Sequence, residues 1–221
     1  MINILVFGDS NSWGFVDEDD GKKYSLRWPI VLKNDLKNQN LDCCILEDNL
    51  PGRTTNLNDE QDGHHLNGAS VFKSSLLSHS PIDIVIILLG TNDLKQRFNR
   101  NSDDIADGIK NLINISKNTP SGKGTWHDQN YPEIIVICPP ILGPLSNNSQ
   151  WQKHEEWEGG FDKSINLYKS INIICTNNQV QLIDSNQFIE SSSIDPIHWS
   201  KKSHHLLGKE ISKIILSKFK S

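Results

Sequence analysis

Long apolar runs are missing from this chain of 221 residues: no stretch approaches 18 consecutive apolar residues, so a transmembrane helix is not expected. No basic segment precedes the first apolar run, which starts at Ile2, and this argues against a secretory leader. Cysteine is scarce and poorly spaced. Cys43, Cys44, Cys138 and Cys175 form no C-x-x-C, and the adjacent pair cannot easily bridge to itself, so neither a disulfide framework nor a zinc site is expected. A reducing, cytoplasmic setting fits that usage. A basic stripe is lacking too: Lys and Arg number 22 against 27 Asp and Glu, a net charge of -5, which excludes nucleic acid as the expected partner. The phosphate-cradling patterns G-x-x-x-x-G-K-[ST] and G-x-G-x-x-G and the metalloprotease pattern H-E-x-x-H are absent. No metal or other cofactor is therefore expected, despite eight histidines with doublets at His64-His65 and His204-His205. The second doublet opens a C-terminal helical pattern and reads as surface.

No linker or low-complexity segment divides the chain, which reads as one domain over residues 1–221. Short apolar runs at Ile4–Phe7, Ile82–Leu89 and Ile134–Cys138, with weaker ones near Cys43–Leu46 and Val180–Ile183, suit strands buried on both faces. Helical patterns lie between them: Ile105, Ile109, Leu112 and Ile113 share one face, as do Leu207, Ile211, Ile214 and Ile215. The alternation predicts a three-layer α/β/α, flavodoxin-like fold with a five-stranded parallel sheet in the order 2-1-3-4-5. Ligands of such folds bind beyond the carboxyl ends of the strands.

Polar clusters fall at those ends. The first strand runs into Gly8-Asp9-Ser10, the second is followed by "NLPGRTTN", the third ends in Gly90-Thr91-Asn92-Asp93, and "DPIHWS" follows the fifth. Ester hydrolysis needs a nucleophilic hydroxyl, an imidazole base, a carboxylate to fix its tautomer and donors for the oxyanion. Ser10, His198 and Asp195 are candidates for the first three roles, and the N–H groups of Ser10 and Gly52 with the Asn92 amide for the last. Each residue also has a plainer reading. Ser10 could cap a helix, Asn92 and Asp93 could be turn residues, and a glycine after proline is usually a turn.

The blocks "VFGDSNSWG", "NLPGRTTN", "LLGTND" and "DPIHWS" resemble, in order and context, those of the SGNH (GDSL-type) hydrolase superfamily. "RWPIVL", "LNGAS", "LLGTNDLKQRF" and "EGG" before a helix extend the likeness to its arylesterase and acyltransferase branch. The resemblance implies a short-acyl serine esterase with Ser10, Asp195 and His198 as triad and Ser10, Gly52 and Asn92 as oxyanion hole. It selects the Gly52 N–H for that role and leaves Asp93 structural. It also implies a small-molecule ester substrate and a homo-oligomer, with Ser121–Tyr131 and Pro139–Gly160 as places for subunit contacts beside the site. Arylesterase, carbohydrate acetylesterase and acyltransferase activities stay open. Position 11 is Asn where the family name has Leu, and position 12 is Ser where this branch has Thr. Trp13 and Trp151 are candidates for the pocket wall. The competing class is a non-catalytic flavodoxin-like module binding phosphate at "GDSNSWG", which the acidic Asp9 disfavours.

Overall fold

The computed structural model describes residues 1–219. Runs rich in Ile, Val and Leu lie side by side as parallel strands β1 (Ile2–Gly8), β2 (Cys43–Asn49), β3 (Ile84–Leu88), β4 (Glu133–Cys138) and β5 (Gln181–Asp184). Their order, β2-β1-β3-β4-β5, is the one the sequence predicts. Parallel neighbours need a crossover between them, and helices supply it. Strand alternation then divides the core. Leu5, Phe7, Val85, Ile87 and Val136 face α3 (Gly68–Ser78), α4 (Ser102–Lys117) and α6 (Gly160–Asn177). Ile4, Val6, Ile84, Ile86 and Ile135 face α2 (Trp28–Asn38) and α7 (Lys201–Phe219). Two short helices, α1 (Ser10–Trp13) and α5 (His154–Trp157), lie among the loops beyond the strand ends. Among the described residues no helix is long and apolar enough to cross a membrane.

Local signals account for the helices. Asn101 and Asp104 form a reciprocal capping box that starts α4, after which Ile105, Ile109, Leu112 and Ile113 bury one stripe. Pro29 stands in the first turn of α2, where its missing N–H costs no helix bond.

Two sequence expectations need correction. The Ser121–Tyr131 segment lies at the amino edge of the sheet, because Ser121 O accepts the N–H of Ile82, just before β3, and the segment leads into β4. It cannot sit beside a site at the carboxyl edge. The Pro139–Gly160 connection holds a 3-10 turn at Pro144–Asn147 and α5, and its Trp157 is buried in the core. His204 is not on the surface: it is fully buried, its ring against Tyr24 and Trp199, and its Nδ1 accepts the Trp28 N–H at 3.3 Å. Helical geometry separates the doublet, since adjacent side chains on α7 point about 100° apart and only His205 reaches solvent.

Burial pushes the His204 imidazole down from its ordinary 6.5 to about 4. The unfolded chain then binds the extra proton between those values, so His204 supports stability above pH 6.5 and loses that support as pH falls towards 4. His204→Asn keeps an acceptor for Trp28 without a titrating ring. Between pH 6.5 and 4 the parent should lose about 3 kcal/mol more stability than this variant, measured by urea unfolding at each pH.

Candidate active site

β1 leaves the sheet at Gly8 and turns at once into α1. The approach is close: a Cβ on Gly8 would stand 2.4 Å from Ser12 Oγ, so a side chain there would force the two apart. Asp9, not Ser10, caps α1, its Oδ1 accepting the Asn11 N–H at 3.0 Å. The Ser10 hydroxyl is thereby left for other partners, and its N–H belongs to a first helical turn that has no intrahelical acceptor.

One of those partners comes from the far end of the chain. His198 Nε2 stands 3.1 Å from Ser10 Oγ, and its Nδ1 lies 2.6 Å from Asp195 Oδ2. The other carboxylate oxygen, Oδ1, accepts the N–H groups of Ile197 at 2.9 Å and His198 at 3.2 Å, so the loop folds its own backbone around Asp195. Burial alone would raise the Asp195 pKa. The His198 contact and these two backbone bonds outweigh it and hold the carboxyl below its ordinary value. A carboxylate at Nδ1 fixes the proton there and leaves Nε2 as the acceptor facing the hydroxyl. Asn11 joins the two segments, donating from Nδ2 to Ile197 O at 3.2 Å.

The ends of β2 and β3 meet at the same edge. Arg53 Nη1 donates to Gly8 O at 3.2 Å, while Arg53 O accepts from Asn92 Nδ2 at 3.1 Å. Gly52, one residue earlier, is thus held between the exits of β1 and β3. No backbone carbonyl among the described residues accepts the Gly52 N–H, and an amide has a second N–H, so Asn92 retains a donor beyond the one given to Arg53. Below them Asp93 is fully buried and takes the Thr55 N–H at 2.9 Å, the Thr55 hydroxyl at 2.5 Å and Arg100 Nη1 at 2.8 Å. Asp93 is a structural tie. Asp9 lies close by, and burial, with the Asp93 charge adding to it, pushes its carboxyl up to about 7.

The GDSL-like lipase/acylhydrolase family matches residues 4–211. The chain belongs to this family. It is an ester-hydrolysing enzyme of the GDSL type, similar to the Mycobacterium smegmatis aryl esterase in its inhibitor-bound form: 33% identity over 98% of this chain and 99% of that one, TM-score 0.88. It is comparably similar to Est24, a carbohydrate acetylesterase from Sinorhizobium meliloti: 32% identity, 99% and 100% covered, TM-score 0.88. An Enterococcus faecalis lipase/acylhydrolase, 19% identical with TM-score 0.69 over 99% and 97% of the chains, shares the fold. No curated protein sequence matches significantly.

Around this GDSL-type centre the rim is tied by charge. Arg97 pairs with Asp59 at 2.5 Å, Asp62 at 2.6 Å and Glu156 at 3.1 Å, and Lys95 pairs with Glu156 at 2.8 Å. Loops following β2, β3 and β4 are joined in this way. Trp151 is half-buried beside a cleft of about 490 Å³ that Asp195, Ile194, Asn148 and Gln150 also line. Trp13 ends α1 under Lys23, whose Nζ is 5.3 Å from its ring centre. Sequence reasoning missed Phe15, whose ring stacks on His198. Its only signal was an aromatic immediately after "GDSNSWG". Among the described residues no group of three or more His, Cys, Asp or Glu is placed to hold a metal.

Asp93→Ala would deprive the mostly buried Arg100 guanidinium of its carboxylate and leave it only the neutral acceptors Thr55 Oγ1, Asn56 Oδ1 and the Asp104 carbonyl. Losing one partner of such a pair costs about 3–5 kcal/mol, so a clear fall in the urea midpoint is expected, larger than for Asp93→Asn.

Proposed function

We propose that this family member is a serine esterase acting on short-acyl esters through Ser10, His198 and Asp195. The observation that carries the proposal is the position of His198, 3.1 Å from the Ser10 hydroxyl on one side and 2.6 Å from the Asp195 carboxylate on the other. As Ser10 Oγ forms its bond to the ester carbonyl carbon, its proton passes to His198 Nε2. Asp195 stabilises the imidazolium. Charge on the carbonyl oxygen is met by the N–H groups of Ser10 and Gly52 and the spare N–H of Asn92. Collapse of the tetrahedral species breaks the bond to the alcohol, which takes the proton from His198. Water then cleaves the acyl-enzyme by the same route, or a second alcohol does so in acyl transfer.

Support for the substrate class comes from the surroundings. The cleft beside Asp195 offers Asn148, Gln150, Gln152 and Lys153 with a single large aromatic, Trp151, and only Leu145 and Ile194 as aliphatic lining. Amide and ammonium donors beside an aromatic face suit a hydroxylated or aryl alcohol rather than an alkyl chain. The two neighbours above 30% identity are named an aryl esterase and a carbohydrate acetylesterase, in keeping with such a leaving group.

A fluorophosphonate probe should label the parent on Ser10, and Ser10→Ala should lose both the label and the esterase activity while melting at nearly the parent's temperature. Activity above about one per cent of the parent's would identify another nucleophile. Across p-nitrophenyl esters, kcat/KM should peak between acetyl and butyryl and fall steeply by octanoyl. An open apolar groove would instead improve binding by about 0.8 kcal/mol per methylene and place the maximum at long chains.

A further inference from the structure

The two hydrogen bonds of His198 leave one motion weakly held. The Cβ–Cγ bond and the contacts to Asp195 and Ser10 set where the imidazole lies, but hydrogen bonds yield readily to bending, so tilting of the ring out of its plane is only softly resisted. A surface against the ring face does resist it. Phe15 supplies that surface, its centroid 4.0 Å from that of His198 with the planes 29° apart.

Phe15 is itself built in. Its N–H donates to Ser10 O at 2.9 Å, directly after α1, and its backbone forms an antiparallel bridge with Lys23. Tyr24 N–H closes this excursion onto Gly14 O at 2.8 Å. Gly21 stands against the ring: its φ of +70° favours glycine, and a Cβ there would come within 2.6 Å of Phe15 Cε2. At the other side the excursion grips the start of α7, where Glu18 Oε2 accepts the Lys201 N–H at 2.9 Å and Asp19 pairs with Lys201 Nζ at 2.5 Å. The segment from 15 to 24 is therefore a strap tied to the nucleophile turn and to the helix that follows the His198 loop.

We propose that Phe15 is a positioning residue for the base, with the strap holding its ring against the His198 imidazole. The negative face of the phenyl ring favours the imidazolium formed during attack over the neutral ring that precedes it, so the contact strengthens as the transition state is approached. The inference rests on His198 acting as the base.

The test uses Phe15→Leu, Phe15→Tyr and Gly21→Ala in the full chain, with p-nitrophenyl acetate as substrate and thermal melting as the check on folding. Phe15→Leu keeps apolar bulk but removes the ring face, and it should lower kcat about tenfold with KM within about twofold of the parent. Phe15→Tyr restores the face and should recover kcat to within about twofold. Gly21→Ala, which displaces the ring without altering it, should behave like Phe15→Leu. A role in packing alone would be met by Leu, and a role in substrate binding would move KM. Parent-like kcat in Phe15→Leu, a loss confined to KM, or a Tyr variant as slow as the Leu variant would each overturn the inference. His198→Ala separates the two readings. If it keeps parent activity, the assignment of the base fails and this inference with it. If it is inactive while Phe15→Leu matches the parent, only the role of Phe15 fails.

Discussion

The contact between His198 Nε2 and Ser10 Oγ joins groups 188 residues apart in sequence, and the arrangement at the carboxyl edge follows from the need to hold it. Neither residue sits inside a strand. Ser10 is fixed because β1 lies between β2 and β3 with both faces buried, so Gly8 has no freedom to move, and Asp9 turns the chain directly into α1. His198 is fixed by a carboxylate three residues earlier that takes up the loop's own N–H groups and by the amide of Asn11 reaching across to Ile197. A hydroxyl and an imidazole carried by separate loops would drift by ångströms without such ties, and the proton transfer proposed for them tolerates little drift.

Holding that edge requires buried charge. Asp9, Arg53 and Asp93 are each nearly or wholly buried beneath the strand ends. Asp93 is satisfied by Thr55 and Arg100, Arg53 is held at its two Nη atoms by the carbonyls of Gly8 and Asp48 and by the Asp48 carboxylate, and Asp9 is met on one oxygen only. An incompletely paired carboxyl in a dry place holds its proton more tightly, which is why the Asp9 pKa lies near neutrality while that of Asp195, ringed by donors, is lowered. Depth of burial decides as much as donor number, since Asp93, which both Thr55 and Arg100 reach, is still pushed up by its burial.

Much of this was legible in the sequence because the relevant signals are local. Runs such as "IVIILL" announce a strand buried on both faces, and "GDS", "GTND" and "DPIH" place polar groups immediately after strands, where a parallel sheet exposes its carboxyl edge. Asn11, which departs from the family name, has a partner across the site in the carbonyl of Ile197. What sequence reasoning missed depends on contacts distant along the chain. Phe15 gains meaning only when residue 198 arrives over its ring, and His204 is buried because α2 covers it. Ser10 looked equally fit to cap a helix until the backbone gave that task to Asp9.

The charged rim has a consequence for how the molecule opens. Each Arg97 bond is a cross-link between distant points of the chain, spanning 38 residues to Asp59 and 59 to Glu156. Such links remove loop entropy as a covalent staple does, but their strength depends on the surrounding electrolyte. The sheet and its two apolar faces feel little of that. Salt screens the exposed Asp62 partner far more than Asp59, which is buried against Arg97, so raising ionic strength loosens the outer bonds of the rim first while the inner tie and the layers beneath hold.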